Sequence, residues 1–238
     1  MARSPRVMRL TADHVAKVHR DIPDPGPLSI AGYRPATDED HAESVASMLA
    51  TRPEGPFWLF GISSLIWKPE TAFEERRMAT ARGWHRRFCL GMEHRFRGNA
   101  QHPAAMMALD RGGSCKGAIY RLPEEGLEAE LAKLSRRERS TTPASFPWRW
   151  IDVDAGEGMT IRALAFPMDR KSVRYAGHLS EDEIVDMLAT ACGFRGSMAE
   201  YLFQTVSMLE SLGIHDRNLW RLQELVAARI EATYGLDR

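Results

Sequence analysis

Six short runs of aliphatic, aromatic and β-branched residues occupy the middle of the chain, at about 57–62, 77–90, 104–109, 115–120, 148–153 and 159–166, set off by glycine, proline or aspartate. Runs this short, punctuated this way, read as strands rather than helices. An isolated hairpin is marginal in water, so the runs must pair into one mostly antiparallel sheet or a small barrel. Helical periodicity enters between and after them. Leu127, Leu131 and Leu134 fall at i, i+4 and i+7 in a segment that Pro123 is expected to open, giving one stripe to bury. Ser180 and Glu183 form a capping box for a helical stretch running through Gly196 to about Leu212, and Asp216 starts another that runs to Tyr234. The fold class that follows is α+β: a small mixed β-barrel or sheet with packed helices.

The first 56 residues read differently. Early arginines and the run Ile22-Pro-Asp-Pro-Gly-Pro27 predict an irregular arm, because proline neither continues a helix nor pairs in a central strand. Thr37 with Asp40 resembles a capping box and predicts one short helix before Pro53. The expected organisation is therefore an arm over 1–56 with one short helix, and a domain over 57–238.

Charge and cysteine content narrow the function classes. Lys plus Arg and Asp plus Glu each number 32, so no global field draws the chain to nucleic acid or an anionic membrane, and no basic stripe interleaves with aromatics. A small-molecule partner held in a local site is the expectation. Cys89, Cys115 and Cys192 lack CxxC spacing, which argues against a disulfide framework or a thiolate metal site and for a reducing, cytoplasmic setting. No apolar run approaches the roughly 20 residues that span a bilayer. His85, His94 and His102 do not share one helical face, so no metal site is expected. The sequence sets no oligomeric state.

Two places could carry chemistry. Glu138, within Leu134-Ser-Arg-Arg-Glu-Arg-Ser140, is either part of a solvated charged turn or, as the next step of the Leu127–Leu131–Leu134 stripe, a carboxylate turned inward. The turn Gly61-Ile-Ser-Ser-Leu-Ile-Trp67 is either an ordinary tight turn or a place where backbone N–H groups meet an anion. Arg95 and Arg97, in Glu93-His-Arg-Phe-Arg-Gly98, read as ion-pairing or loop-capping groups.

Taken together, the segments resemble the ChaC-like γ-glutamylcyclotransferases. Phe60-Gly61 and Ser64-Leu-Ile-Trp-Lys-Pro69 are similar to that family's Phe-Gly-Tyr-Gly-Ser-Leu-Ile-Trp-Lys-Pro, and Gly83-Trp-His-Arg-Arg-Phe88 to its Gly-Tyr-x-Arg-Arg-Phe. His94-Arg95 with Gly98, Gly117-Ala-Ile-Tyr-Arg-Leu-Pro123, Arg137-Glu138, Glu200-Tyr-Leu202 and Leu212-Gly-Ile-His-Asp216 continue the likeness in order. The resemblance implies a small mixed barrel with helices, and cleavage of glutathione to 5-oxoproline and cysteinylglycine without metal or organic cofactor. It also implies that Glu138 is the general base and that Ile62, Ser63, Ser64 and Leu65 bind substrate through main-chain N–H groups.

That loop departs from the family's Tyr-Gly-Ser-Leu. Ile62 has no hydroxyl, and if the glycine position needs φ > 0, Ser63 costs on the order of 1 kcal/mol. The departure keeps a second reading open, a catalytically weak or inactive protein on the same fold that binds a small metabolite. Another γ-glutamyl amine as substrate is a third.

Overall fold

A computed structural model describes residues 7–27 and 29–235. Residues 1–6 and 28 of the expected arm lie outside the described residues. In chain order the elements are α1 (Ala12–Val18), β1 (Arg34–Pro35), α2 (Asp38–Ala50), β2 (Trp58–Gly61), α3 (Ser64–Trp67), β3 (Glu75–Glu93), β4 (Ala104–Arg121), α4 (Leu127–Glu138) and β5 (Thr141–Thr142). They continue with β6 (Arg149–Asp154), β7 (Thr160–Ala165), α5 (Glu181–Thr190), β8 (Cys192–Gly193), β9 (Gly196–Ser197), α6 (Met198–Ser211) and α7 (Arg217–Tyr234). Among the described residues no helix is long and apolar enough to cross a membrane.

The chain divides into two compact units, residues 1–26, 91–106 and 178–238 in one and 27–90 and 107–177 in the other. This division differs from the expected boundary at 56/57. The second unit holds a closed barrel in the order β2-β4-β3-β6-β7, with β2 antiparallel to β4 and parallel to β7, where Leu59 faces Leu164. Closure leaves the barrel without a free sheet edge. Alternate residues along its strands, Trp58 and Phe60, Ile151 and Val153, Ala163 and Ala165, gather with Ala79, Ala81 and Ile119 into one buried cluster, as period-two alternation requires. Gly117 is needed for that filling. A Cβ there would lie 2.8 Å from the Phe60 ring and collide with the Gly61 carbonyl.

In the same unit, α4 buries Leu127, Leu131 and Leu134, the stripe expected from its spacing. Helix α2 packs on it through a buried hydrogen bond between His41 Nδ1 and Ser135 Oγ at 3.0 Å. The two-residue strand β1 pairs with β5, and Ala36 N–H donates to Ser140 O at 3.2 Å. Segments on either side of Glu138 are thus tied to residues 34–50.

Four expectations need correction. The segment before residue 57 carries two helices and a short strand, not one helix in an irregular arm. Leu10, His14 and Val18 recur every four residues and are all buried, so tertiary burial completes a helix whose polar neighbours hid it. Helix α4 begins at Leu127 rather than Pro123, because its N-cap Gly126 sits at φ 74°, outside the right-handed helix. The runs 104–109 and 115–120 are one strand, β4. Gly112 and Gly113, at φ 103° and 71°, absorb the kink inside it instead of ending it. Between α5 and α6 the chain forms the hairpin β8–β9, with Gly196 at φ 103°. The caps expected at Thr37 and Ser180 are formed, and Asp216, expected to begin the last helix, is the N-cap just ahead of it.

In the first unit Leu10 is fully buried and its N–H donates to the buried Gln223 Oε1 at 2.8 Å. Arg95 pairs with Asp24 at 2.7 Å and Arg97 with Glu200 at 2.5 Å, so the stretch 93–98 is a structural turn held by ion pairs. Leu10→Ala should lower the unfolding free energy by about 2–5 kcal/mol, read from denaturant titration, because it empties a closed site. A loss under about 0.5 kcal/mol would show that this N-terminal segment merely rests on the surface.

Candidate active site

Glu138 is the last residue of α4, one helical step beyond Leu134 on the buried stripe, and its side chain keeps 17% of its surface. It turns inward, at the rim. One carboxylate oxygen, Oε1, accepts from Arg137 Nε at 3.0 Å. The neighbouring arginines are drawn away: Arg136 reaches Asp38 at 2.9 Å and Arg139 the Asp40 carbonyl at 3.3 Å, both on α2. Arg137 alone of the three stays with Glu138.

Arg137 also reaches the loop that leads into α3. Its NH2 donates to Ser64 Oγ at 3.0 Å, and its NH1 to the Lys68 carbonyl, the Pro69 carbonyl at 3.2 Å and Glu70 Oε2 at 3.1 Å. One planar guanidinium therefore spans the end of α4 and the two ends of α3, a task for which its fork of donors is suited. On its Glu70 side lies a cleft of ≈ 250 Å³ lined by Pro69, Glu70, Thr71, Lys133, Leu134 and Arg137.

Burial raises the Glu138 pKa above the ordinary carboxylate value; Arg137 pulls it back down in part, and Glu70 adds to the rise. The net result is a carboxyl group that holds its proton more tightly than a solvated one, while remaining within reach of solvent on one side. A group tuned upward in this way suits proton transfer near neutral pH.

The loop residues separate into different roles. Ile62 packs against the apolar cluster that fills the barrel. Leu65 is buried, its Cβ 3.0 Å from where a Cβ on Gly61 would stand, so it packs rather than presents a side chain. Ser63 is buried at φ −153°, outside the left-handed region, so no positive φ calls for a glycine there. Helix α3 bonds Ile66 N–H to Ser63 O and Lys68 N–H to Ser64 O, both at 2.9 Å, which leaves the Ser64 and Leu65 N–H groups outside its own ladder. Only Ser64 is joined to Glu138, through Arg137. Sequence reasoning noted the arginines around Glu138 but missed the roles of Arg137, Lys68 and Glu70; the adjacency of Arg137 to Glu138 was the available signal.

The family described as ChaC-like protein matches residues 57–229. A glutathione-specific γ-glutamylcyclotransferase of Escherichia coli K12 is 41% identical over 182 residues, 76% of this chain and 78% of that protein. A mouse glutathione-specific γ-glutamylcyclotransferase 1 is 27% identical over 74% of this chain and 81% of its own length. Among solved structures, a γ-glutamyl cyclotransferase specific to glutathione from yeast superposes with a TM-score of 0.66 at 18% identity, covering 74% of this chain and 97% of that one, a likeness of fold.

Two stability measurements follow from the geometry. A carboxyl whose folded pKa is raised stabilises the fold while protonated, and that contribution is lost as pH rises through the folded pKa. Glu138→Gln mimics the protonated form at every pH, so it should be more stable than the parent at neutral pH, with the difference closing on acidification; a less stable variant at neutral pH would contradict the raised pKa. Ser63→Gly should lower stability by about 0.4–1 kcal/mol, because the native φ is open to serine. Stabilisation by that glycine would reveal strain.

Proposed function

Because the chain belongs to the ChaC-like family, we propose that it is a glutathione-specific γ-glutamylcyclotransferase, releasing 5-oxoproline and cysteinylglycine, with Glu138 as the general base. The observation that carries the residue assignment is Glu138 itself, a rim-buried carboxylate with a raised pKa at the family's Arg-Glu pair.

The substrate supplies its own nucleophile. The γ-glutamyl α-amine attacks the γ-carbonyl, a five-membered ring closes, and the bond to the cysteinyl nitrogen breaks. A site that holds the folded conformer gains the large effective concentration of an intramolecular reaction. The α-ammonium first gives up a proton, which Glu138 accepts and later passes to the leaving nitrogen; the second proton shed by the attacking nitrogen as the lactam forms ends on the released amine as its ammonium, so the carboxylate ends as it began. We assign the substrate α-carboxylate to the main-chain N–H groups of the 62–65 loop, Ser64 and Leu65 above all, since α3 leaves these unused. In this role the Ser63 and Ile62 side chains are permitted changes: the donors belong to the backbone. We place the enzyme in the cytoplasm; its three cysteines are buried free thiols, which suits a reducing compartment.

The test is direct. Purified protein incubated with glutathione should release 5-oxoproline, and Glu138→Gln should cut kcat by about 10²-fold or more while glutathione binding persists. Near-normal turnover in that variant removes Glu138 from the base role. Binding of glutathione without release of 5-oxoproline by the parent protein would make it a binding protein on this fold.

A further inference from the structure

Glu70 is an unusual residue for its place. Its φ is 58°, in the left-handed region that favours glycine, and it directly follows Pro69. There its carboxylate meets Arg137 NH1 at 3.1 Å and Lys68 Nζ at 3.1 Å. The same guanidinium holds Glu138 through Nε at 3.0 Å.

We propose that Glu70 is a positioning residue for the reaction: by anchoring the NH1 end of the Arg137 fork while Ser64 Oγ takes the NH2 that lies beside Nε, it keeps that guanidinium from turning to grip Glu138 with two donors, and so keeps Glu138 available to take a proton from substrate. The inference rests on the reading of Glu138 as the base. Arg137 must fasten the α3 loop, yet a guanidinium that closes on a carboxylate as a bidentate pair also makes it a poor base. A second carboxylate at the far end of the fork resolves this. It anchors the cation by NH1, leaves one hydrogen bond for Glu138, and cancels part of the positive charge felt there.

The other charged and titratable groups around Glu138 are engaged elsewhere and do not duplicate this effect. Arg136 faces Asp38, Arg139 the Asp40 carbonyl, and Lys133 pairs with Glu130 at 2.7 Å. His41, from α2, is bonded to Ser135, and burial together with Arg136 and Arg139 holds its pKa below the usual imidazole value.

The experiment follows the Glu138 proton itself. Carboxyl ¹³C NMR titration of glutamate-labelled protein, with the Glu138 signal assigned by its loss in Glu138→Gln, is compared across the parent, Glu70→Gln, Glu70→Asp and Glu70→Gly, and the pH profile of kcat/KM for glutathione is recorded in parallel. Glu70→Gln and Glu70→Gly should both move the Glu138 midpoint down by about half a pH unit or more, with Glu70→Asp close to the parent. The acidic limb of the kcat/KM profile should move with the midpoint, and the plateau should fall by roughly threefold as the base weakens. Glu70→Gly relieves the left-handed backbone, so a gain in its thermal stability alongside a lowered midpoint separates charge from strain. An unmoved Glu138 midpoint in folded Glu70→Gln overturns the proposal. A midpoint that moves while the activity limb stays in place upholds the tuning by Glu70 and removes Glu138 from the base role instead.

Discussion

The candidate site hangs on one guanidinium. Arg137 has five N–H donors, and the structure uses them to join three separate stretches of chain: Glu138 at the end of α4, Ser64 at the start of α3, and the carbonyls and carboxylate of residues 68–70 at its end. Helix α3 has four residues and cannot hold its own geometry in water. Arg137 gives it one. A lysine in the same place would offer a single point of charge and could not address Nε, NH1 and NH2 partners in one plane.

Two burial demands bring Arg137 and Glu138 to that point. The leucine stripe of α4 sets the rotation of the helix, so the residue one step past Leu134 must face the same way, and the residue before it comes off at the edge. The barrel sets where β2 ends and therefore where the 62–65 loop begins, and Gly117 makes room for the Phe60 ring that fills it. Helix α2 and β1 then hold the end of α4 from the other side, through His41 on Ser135 and through the pairing with β5 directly after Glu138. These last elements precede the stretch that matches the family, residues 57–229. The frame of the site therefore extends beyond the stretch that the family model matches.

How far the sequence revealed this depended on whether the signal was periodic. The α4 stripe, the strands and the caps at Thr37, Ser180 and Asp216 were legible because burial and capping leave regular spacings. Helix α1 was not, because the buried His14 stands between Leu10, just ahead of the helix, and Val18 at its end, and only the partners it meets in the fold make that histidine an interior residue. The two glycines in β4 misled for the opposite reason: Gly-Gly is a turn signal locally, yet pairing on both flanks carried the strand through. At the site, Glu138 could be found by phase. The Glu70 contribution could not, since it depends on a left-handed turn at a residue type that seldom adopts one. The cost at Ser63 was conditional on a dihedral that the sequence does not carry: a serine in place of a family glycine pays the left-handed penalty only if φ is positive there, and at φ −153° it is not.

The same arrangement explains why a carboxylate is tolerated where Glu138 sits. A fully enclosed glutamate with no cation would take up a proton and cease to be a base, whereas one locked in a two-donor salt bridge would be ionised but reluctant to accept a proton. Glu138 lies between these limits. Burial pushes its pKa up, a single hydrogen bond from Arg137 stops it short, and Glu70 on the far end of the fork limits how much of that cation Glu138 feels. Each contribution taken alone would spoil the group, and their opposition costs the fold some stability at neutral pH. A scaffold built only to be stable would place a leucine at the end of the stripe; a glutamate there, held by one donor and left partly open, suits the proton-accepting role proposed for it.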